Sequence, residues 1–250
     1  MRIAVVSDIH GNLPALQAVQ ADLARRGADL IINCGDILSG PLWPRETAEM
    51  LMALAWPTIA GNHERQLLDC AKAAGGASDR FAFEQTTPEQ RDWLAALPAT
   101  LQPAPGVFVC HGKPADDRVY LLETVEPAGS RVATGAEVLE RVDGTPGLEA
   151  SLLLSGHSHL PRVLQVGGTL CVNPGSVGLP AYDDDHGYFH IHQTGSPHAR
   201  YALCERVDTG AGAGWTVTQI AVAYDWHAAS ARAARNGARD WARWLATGHA

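Results

Sequence analysis

The chain has 250 residues, of which 46% are hydrophobic and 18% charged, with a formal net charge of −8. A chain of this length buries enough apolar surface to fold without disulfides or a structural metal, and the negative charge argues against broad binding to nucleic acid or an anionic membrane. The five cysteines form no CxxC pair, and no stretch approaches 18 uninterrupted apolar residues. We therefore expect reduced thiols, no membrane association and a cytoplasmic protein.

The first 70 residues alternate between strand and helix patterns. A β-branched run at 2–6 predicts a strand, and "NLPALQAVQADLARRG" carries apolar residues at helical spacing. The same order then repeats, with strands predicted in "ADLIINCGD" and "PTIAGNH" and helices in "RETAEMLMALA" and "ERQLLDCAKAAGG". This alternation is typical of an α/β sheet that is buried on both faces.

The rest of the chain has fewer helical patterns. Two short helices are predicted over 78–97, a buried strand in "GVFVCHG" and a helix at 134–142, with mixed patterns elsewhere in 112–150. Strands are then predicted in "SLLLSGH", in a hairpin around "VGGT", and in "GYFHIHQ", "ARYALCERV" and "GWTVTQIAVAY". A helix is predicted near 226–246, and its tryptophans favour core packing over a partner groove. We interpret the whole chain, 1–250, as one domain.

Polar side chains follow one predicted strand after another. Each alone has an ordinary explanation as a helix cap, a turn residue or a partner of the backbone. Because the carboxyl ends of strands in open α/β sheets converge on one crevice, we expect these side chains to meet. The set comprises Asp8, His10, Asp36, Asn62, His63, His111, His157 and His159.

Imidazole nitrogens mixed with carboxylate and amide oxygens suit borderline divalent ions rather than calcium. Seven such ligands are too many for one tetrahedral ion, whereas two ions that share a carboxylate fit the number. A pair of ions supports in-line displacement at phosphorus and lowers the pKa of bound water, so that hydroxide is available at neutral pH. The pattern therefore predicts a two-metal phosphoryl-transfer site.

Five motifs occur in a fixed order: Asp8-Ile-His10, Gly35-Asp36, Gly61-Asn62-His63-Glu64, His111-Gly112 and Gly156-His157-Ser158-His159. As an ordered set they resemble the calcineurin-like metallophosphoesterase superfamily, and "VNPGSVGLP" is similar to its small prokaryotic phosphodiesterase branch. The resemblance implies an α/β fold, a four-layer α/β/β/α sandwich with two mixed sheets flanked by helices.

The resemblance also implies a role for each matching residue. One ion would be held by Asp8, His10, Asp36 and His159, and the second by Asp36, Asn62, His111 and His157. His63 would contact the scissile phosphate and protonate the leaving oxygen, and Ser158 would be a spacer whose side chain faces away. Manganese or iron is expected, with zinc, nickel or cobalt as alternatives, including mixed-valence pairs.

These assignments predict a binuclear phosphoesterase that hydrolyses a small phosphodiester or nucleotide by attack of a metal-bridging hydroxide. An asymmetric dinucleoside polyphosphate hydrolase and a phosphomonoesterase of the same fold are the alternatives within the enzyme class. A non-catalytic metal-binding scaffold is less favoured because every ligand position is filled. DNA end processing is disfavoured because no basic domain is present.

The sequence departs from the pattern of the family it resembles at two places. No arginine follows Asp36 until Arg45, so the phosphate clamp of protein phosphatases is missing, and Arg65 or Lys113 could replace it. The stretch 181–196 is longer than expected. It is either an exposed insertion or a lid whose Tyr182 and His186 contact substrate.

Overall fold

The computed structural model describes residues 1–72, 75–208, 210 and 212–250. Its helices are α1 (Leu13–Arg26), α2 (Pro44–Leu54), α3 (Asn62–Asp69), α4 (Ala77–Gln85), α5 (Pro88–Ala95), α6 (Gly135–Val142), α7 (Trp226–Arg235) and α8 (Arg239–Thr247). Its strands are β1 (Arg2–Val6), β2 (Leu30–Asn33), β3 (Thr100–Ala104), β4 (Val107–Cys110), β5 (Glu123–Glu126), β6 (Gly129–Val132), β7 (Leu152–Leu154), β8 (Pro161–Val166), β9 (Thr169–Pro174), β10 (Ala181–Asp184), β11 (His190–Gln193), β12 (Ala199–Asp208) and β13 (Ala213–Val222).

Two mixed sheets form the centre of the molecule. The first has the order β13-β12-β1-β2 and the second the order β3-β4-β7-β9-β8. Each sheet contains parallel pairs that precede the candidate site: β1 pairs with β2, and β7 pairs with both β4 and β9. Two antiparallel hairpins, β5–β6 and β10–β11, lie outside the sheets.

Apolar side chains on both faces of the strands produce the layers. Along β1, Ile3 and Val5 pack between the two sheets, whereas Ala4 and Val6 pack beneath the helices that follow β1 and β2. On the far side, Val138 of α6 packs against the second sheet. The order is therefore helix, sheet, sheet, helix, and the predicted four-layer sandwich is confirmed.

The sequence predicts one helix near 226–246, and the structure corrects this to two. Helix α7 ends before Gly237, whose φ of 83° does not continue a helix, and α8 begins at Arg239. The two helices pack on each other, and Ser230 Oγ donates to the carbonyl of Ala242 at 2.7 Å. None of the described helices is long and apolar enough to cross a membrane.

Three smaller predictions also change. The strand predicted in "PTIAGNH" is a single bridge between Thr58 and Asn33, and the β5–β6 hairpin lies in a region without a predicted strand. The helix predicted from Glu64 onward begins at Asn62 as α3 and ends at Asp69, followed by a single 3₁₀ turn at Cys70–Lys72. The end of that prediction, residues 73 and 74, lies outside the described residues.

Candidate metal centre and active-site cavity

The candidate ligands lie in loops at the carboxyl ends of parallel strands. Asp8 and His10 follow β1, Asp36 follows β2, and His111 follows β4. The remaining pair, His157 and His159, follows β7, while Asn62 opens α3. All seven are buried, with Asp8 and Asp36 at most 1% exposed. The structure therefore brings together every residue that the sequence predicts as a metal ligand.

The backbone of these loops is strained. Five candidate ligands have positive φ: Asp8 (55°), His10 (51°), Asp36 (56°), His157 (69°) and His159 (58°). Within the described residues, Ala55 at the end of α2 is the only other non-glycine residue with positive φ. Each such residue costs on the order of 1–3 kcal/mol, and such strain concentrates at functional sites. The left-handed turns bend these loops back, so that Asp8 and His10 reach one cluster while His157 and His159 reach two neighbouring ones.

The first cluster comprises Asp8, His10 and His159, whose ligand atoms lie within 4.8 Å of one another. His10 Nδ1 lies 2.7 Å from the carbonyl oxygen of Ser39, and His159 Nδ1 lies 2.7 Å from that of Leu179. A carbonyl oxygen only accepts hydrogen bonds, so both Nδ1 atoms carry hydrogen and both rings turn Nε2 toward the cluster.

These two Nε2 atoms are 3.1 Å apart, and His159 Nε2 is 3.4 Å from Asp8 Oδ1. Lone pairs at this distance repel one another unless a positive charge lies between them. Burial, together with the neighbouring His159, lowers the pKa of His10 to about 3, so this ring is neutral and its Nε2 presents a lone pair to the cluster. The donor set of the first cluster therefore fits a metal cation.

The second cluster comprises Asp36, His111 and His157, again with ligand atoms within 4.8 Å. His111 donates from Nδ1 to the carbonyl of Cys34 at 2.7 Å, and its Nε2 lies 3.1 Å from both Asp36 Oδ2 and Asn62 Oδ1. Burial lowers the pKa of His111, but the charge of Asp36 outweighs this effect and raises it to about 10. The cluster thus attracts positive charge, which suits a second cation.

Glu64 and Gly61 hold the Asp36 loop beside this cluster. The Glu64 carboxylate accepts hydrogen bonds from the backbone N–H groups of Asp36 (2.8 Å), Ile37 (2.8 Å) and Gly61 (2.7 Å). A Cβ at Gly61 would collide with the Asp36 carboxylate and lie 2.8 Å from the His111 ring. These two motif residues therefore shape the loops rather than contribute ligands.

His63 lies at the edge of the two clusters and lines the cavity described below. Its backbone N–H donates to Asp36 Oδ1 at 2.9 Å, and its Nδ1 lies 2.7 Å from Asp79 Oδ1. Burial lowers the pKa of His63, but the carboxylates of Asp36 and Asp79 outweigh this effect and raise it to about 9. The ring therefore keeps a proton at neutral pH.

Asp79 is a residue that the sequence interpretation missed. Besides His63 it binds the Ser39 hydroxyl at 2.7 Å and the backbone N–H of Gly76 at 3.0 Å, and it is 2% exposed. Its only sequence signal is an acidic residue in the first turn of α4, which reads as a helix cap.

The clusters open into a cavity of about 520 Å³. Its walls include the β10–β11 hairpin, with Asp183 and Asp184, and helix α8, with Trp241 and Trp244. None of the described residues that line it is a lysine or an arginine. Its lining comprises His10, Asp36, Asn62, His63, Gln66, Gly75, Gly76, Ser78, Asp79, His157, His159, Leu179, Tyr182, Asp183, Asp184, Trp241 and Trp244.

The predicted substrate contacts separate in the structure. Tyr182 lines the cavity, with its ring centroid 4.6 Å from that of His159. Arg65 and Lys113 instead line a second cavity of about 270 Å³, where Arg65 pairs with Asp117 through both of its carboxylate oxygens. His186 is exposed at the turn of the hairpin and is not among the lining residues of the main cavity.

The "VNPGS" segment fixes two of the ligand loops. Asn173 Nδ2 donates to the carbonyl of Gly156 at 2.6 Å and to Ser158 Oγ at 3.1 Å, so the Ser158 side chain is held by a buried amide. Ser176 Oγ donates to the carbonyl of Asp8 at 2.7 Å. This segment therefore ties the loop after β7 to the loop after β1.

Residues 1–196 match the model of the calcineurin-like phosphoesterase superfamily domain. The chain belongs to this superfamily. It is 28% identical over 190 residues to the phosphodiesterase YfcE of Escherichia coli K12, covering 72% of this chain and 81% of that protein. The family and this relative make the chain a metallophosphoesterase, an enzyme that hydrolyses phosphoester bonds, as the ordered motifs predict.

Two further relatives cover nearly the whole metallophosphoesterase. A protein of Methanocaldococcus jannaschii, named as uncharacterised, is 26% identical over 253 residues, with 96% of this chain and 94% of that protein covered. The crystal structure of a metallophosphoesterase from Sphaerobacter thermophilus has a TM-score of 0.71 at 26% identity, covering 99% of this chain and all of that one. The family domain ends before β12, so α8 and its tryptophans lie beyond the matched residues.

Proposed function

We propose that this metallophosphoesterase uses two metal ions to hydrolyse a small phosphodiester that carries a single negative charge. The observation that carries the proposal is the convergence of two clusters of metal-ligating side chains and His63 on one cavity. Imidazole and carboxylate groups packed this closely suit cations, and a histidine beside them offers a proton to a leaving group.

In this proposal Asp8, His10 and His159 would hold the first ion and Asn62, His111 and His157 the second, and Asp36 would contribute to both. Nitrogen and oxygen donors of this kind suit manganese or iron, and also zinc, cobalt or nickel. When bound, two such ions would activate water and neutralise charge on the phosphoryl group.

His63 would donate its proton to the leaving oxygen. Asp79 fixes the ring through Nδ1, so the proton for transfer is on Nε2, the only other nitrogen of the ring. Glu64 and Gly61 keep the Asp36 loop in place, and the Asp36 carboxylate in turn holds the backbone of His63. The chain thereby places the acid and the ligands in one rigid unit.

The cavity favours one phosphate over several. Its volume of about 520 Å³ lies in the range of small-ligand sites, about 300–1,000 Å³. Asp183 and Asp184 add negative charge to its wall, and no described lining residue is a lysine or arginine that could hold further phosphates. This charge distribution supports a phosphodiester over the dinucleoside polyphosphate alternative. The cytoplasmic location stays a prediction.

The test is hydrolysis by the Mn²⁺-loaded protein of bis(p-nitrophenyl) phosphate, p-nitrophenyl phosphate, ATP and diadenosine tetraphosphate. We expect the highest kcat/KM with the diester. His63→Ala should keep both ions and lose about 10²- to 10⁴-fold in kcat, the range of general acid catalysis. Absence of hydrolysis at full occupancy with manganese, iron, zinc, cobalt or nickel would contradict the proposal.

A further inference from the structure

The β10–β11 hairpin has an inverted polarity pattern. On β11, His190 and His192 are 2% and 1% exposed, whereas Ile191 between them is 42% exposed. A strand that packs on a core normally buries its apolar side chains and exposes its polar ones. Hydrophobic burial therefore does not explain why this face points inward, and the buried imidazoles need polar partners.

Two tyrosines supply these partners. His190 Nδ1 lies 2.7 Å from the carbonyl oxygen of Tyr188, so the hydrogen of this ring is on Nδ1 and Nε2 is an acceptor. Tyr120 Oη lies 2.8 Å from that Nε2 and donates to it. Tyr182 Oη lies 2.9 Å from Tyr120 Oη and donates to it in turn.

The chain of hydrogen bonds continues from Tyr182 to β6. His192 Nδ1 lies 2.9 Å from Tyr182 Oη and donates to it, because the hydroxyl hydrogen is already used. His192 Nε2 then accepts from the Ser130 hydroxyl at 2.9 Å. Burial and the neighbouring His190 lower the pKa of His192 to about 3, so the ring is neutral, as this order requires. The Tyr182 hydrogen has two acceptors, Tyr120 Oη at 2.9 Å and the carbonyl oxygen of His157 at 3.1 Å, so this hydroxyl links the chain of hydrogen bonds to the loop after β7.

The same two tyrosines cover the two histidines of the His-x-His motif. The rings of Tyr120 and His157 have centroids 4.6 Å apart and an interplanar angle of 32°. The rings of Tyr182 and His159 have centroids 4.6 Å apart at 60°, and Tyr182 Oη lies 3.1 Å from the carbonyl oxygen of His157. Each histidine has positive φ, so its loop needs such contacts to keep its conformation.

We propose that Tyr120 and Tyr182 are positioning residues, which fix the rings of His157 and His159 for metal binding through the hydrogen-bonded hairpin. The hairpin is then a rigid part of the metal centre rather than a movable lid. This inference rests on the proposed two-metal function, in which His159 binds the first ion and His157 the second. Loss of residues that hold metal ligands typically weakens metal binding 10- to 100-fold.

The test uses Tyr120→Phe and Tyr182→Phe, each of which removes one hydroxyl and breaks the chain at one point. We expect the Kd for Mn²⁺, measured by titration calorimetry, to rise about 10- to 100-fold for at least one ion. The visible absorption of the Co²⁺-loaded protein, which reports ligand geometry, should change as well. The matched control is Tyr188→Phe, which loses an exposed hydroxyl from the same hairpin, keeps its carbonyl and should bind both ions like the wild type.

A purely structural role would lower the free energy of unfolding of the metal-free variants and leave metal binding unchanged. Mn²⁺ Kd values within twofold of the wild type in both phenylalanine variants would therefore overturn the inference. If these variants fail to fold, Ser130→Ala removes the first donor of the chain and carries the same test. Weaker Mn²⁺ binding by Ser130→Ala would support the inference, and unchanged binding would overturn it.

Hydrogen exchange distinguishes the rigid hairpin from a lid. In the Mn²⁺-loaded protein, we expect the amides of 181–193 to exchange at the same rate with and without inorganic phosphate, whereas a lid would become protected on binding. Strong protection by phosphate would overturn the rigid assignment. A wild-type protein that binds two Mn²⁺ ions and hydrolyses no ester would contradict the proposed function alone. A wild-type protein that binds none would overturn both.

Discussion

The inner end of the cavity and its outer walls are built in different ways. The inner end consists of loops that follow neighbouring strands and are joined to each other through the backbone. Asp8 N–H donates to the carbonyl of Gly35 at 2.9 Å, and Gly156 N–H donates to that of His111 at 2.8 Å. The outer walls come from the β10–β11 hairpin and helix α8, which reach the cavity from distant parts of the chain.

This contrast separates the chemistry from the choice of substrate. At the inner end, backbone hydrogen bonds and strained turns fix each side chain, so a substitution there changes metal binding or rate. In the outer walls, Asp183 and Trp241 contribute side chains that line the cavity without belonging to a metal cluster. Substitutions of these two residues should change which ester is accepted.

The largest effect is expected from Asp36→Asn at the inner end. This carboxylate interacts with His111 and with the backbone of His63, and we propose that it is shared by both ions. Metal ions supply several kcal/mol of transition-state stabilisation, so kcat should fall about 10³-fold or more. Metal content by mass spectrometry should fall below two ions per chain. Full metal content with unchanged kcat would argue against the shared role.

A smaller loss is expected from Asp79→Asn, about 10- to 100-fold in kcat, because His63 loses its charged partner. His63 acts as an acid only while protonated, so activity is lost as the pH rises through its pKa. Asp79 raises that pKa, and its removal should move the alkaline limb of the pH–rate profile to lower pH. An unmoved limb would contradict the role, and Asp185→Asn, at the exposed hairpin turn, is the control.

In the outer wall, Trp241→Leu should raise KM for bis(p-nitrophenyl) phosphate by about 5- to 10-fold, with a smaller change in kcat. The indole ring lies against His10, with ring centroids 5.8 Å apart. The metal content of the variant should therefore be measured first, to show that it still binds both ions. Loss of one aromatic contact is worth about 1 kcal/mol, which corresponds to this change in KM. A change confined to kcat would place Trp241 with the inner end instead.

The smallest effect is expected when Asp183 and Asp184 are both replaced by asparagine. Removing two negative charges should raise kcat/KM for ATP by about 3- to 10-fold at low salt and leave the diester nearly unchanged. The gain should shrink as ionic strength rises, because salt screens exposed charges such as that of Asp183. A gain of equal size for both substrates would show that charge does not select between them.

Much of the inner end of the cavity can be predicted from the sequence because its signals are local. β1, β2 and β4 are short apolar strands, each followed by a loop that contains glycine and Asp, Asn or His. Each loop carries its ligands within a few residues of the strand. Parallel pairing then brings the loops together by a general rule of α/β sheets. The predicted substrate contacts had no such rule behind them: Tyr182 lines the main cavity, whereas Arg65, Lys113 and His186 lie outside it.

The outer walls and the supporting contacts could not be predicted from the sequence, because they depend on packing between distant segments. Trp241 lies 231 residues after His10, whose ring it meets, and Asp79 lies on a separate helix from His63. Nothing in the neighbouring residues of Trp241 or Asp79 indicates such a partner, since side-chain contacts across layers have no sequence period.

The family, the four layers and the seven residues that converge on the candidate metal centre follow from motifs and periodicities in the sequence. Which face of the β10–β11 hairpin points inward depends instead on packing against distant residues. Alternation in "HIH" predicts a strand but, by hydrophobicity alone, would bury Ile191. The fold instead buries His190 and His192, because two tyrosines from β10 and from the loop before β5 satisfy their hydrogen bonds. A buried polar face is stable only where such partners meet it.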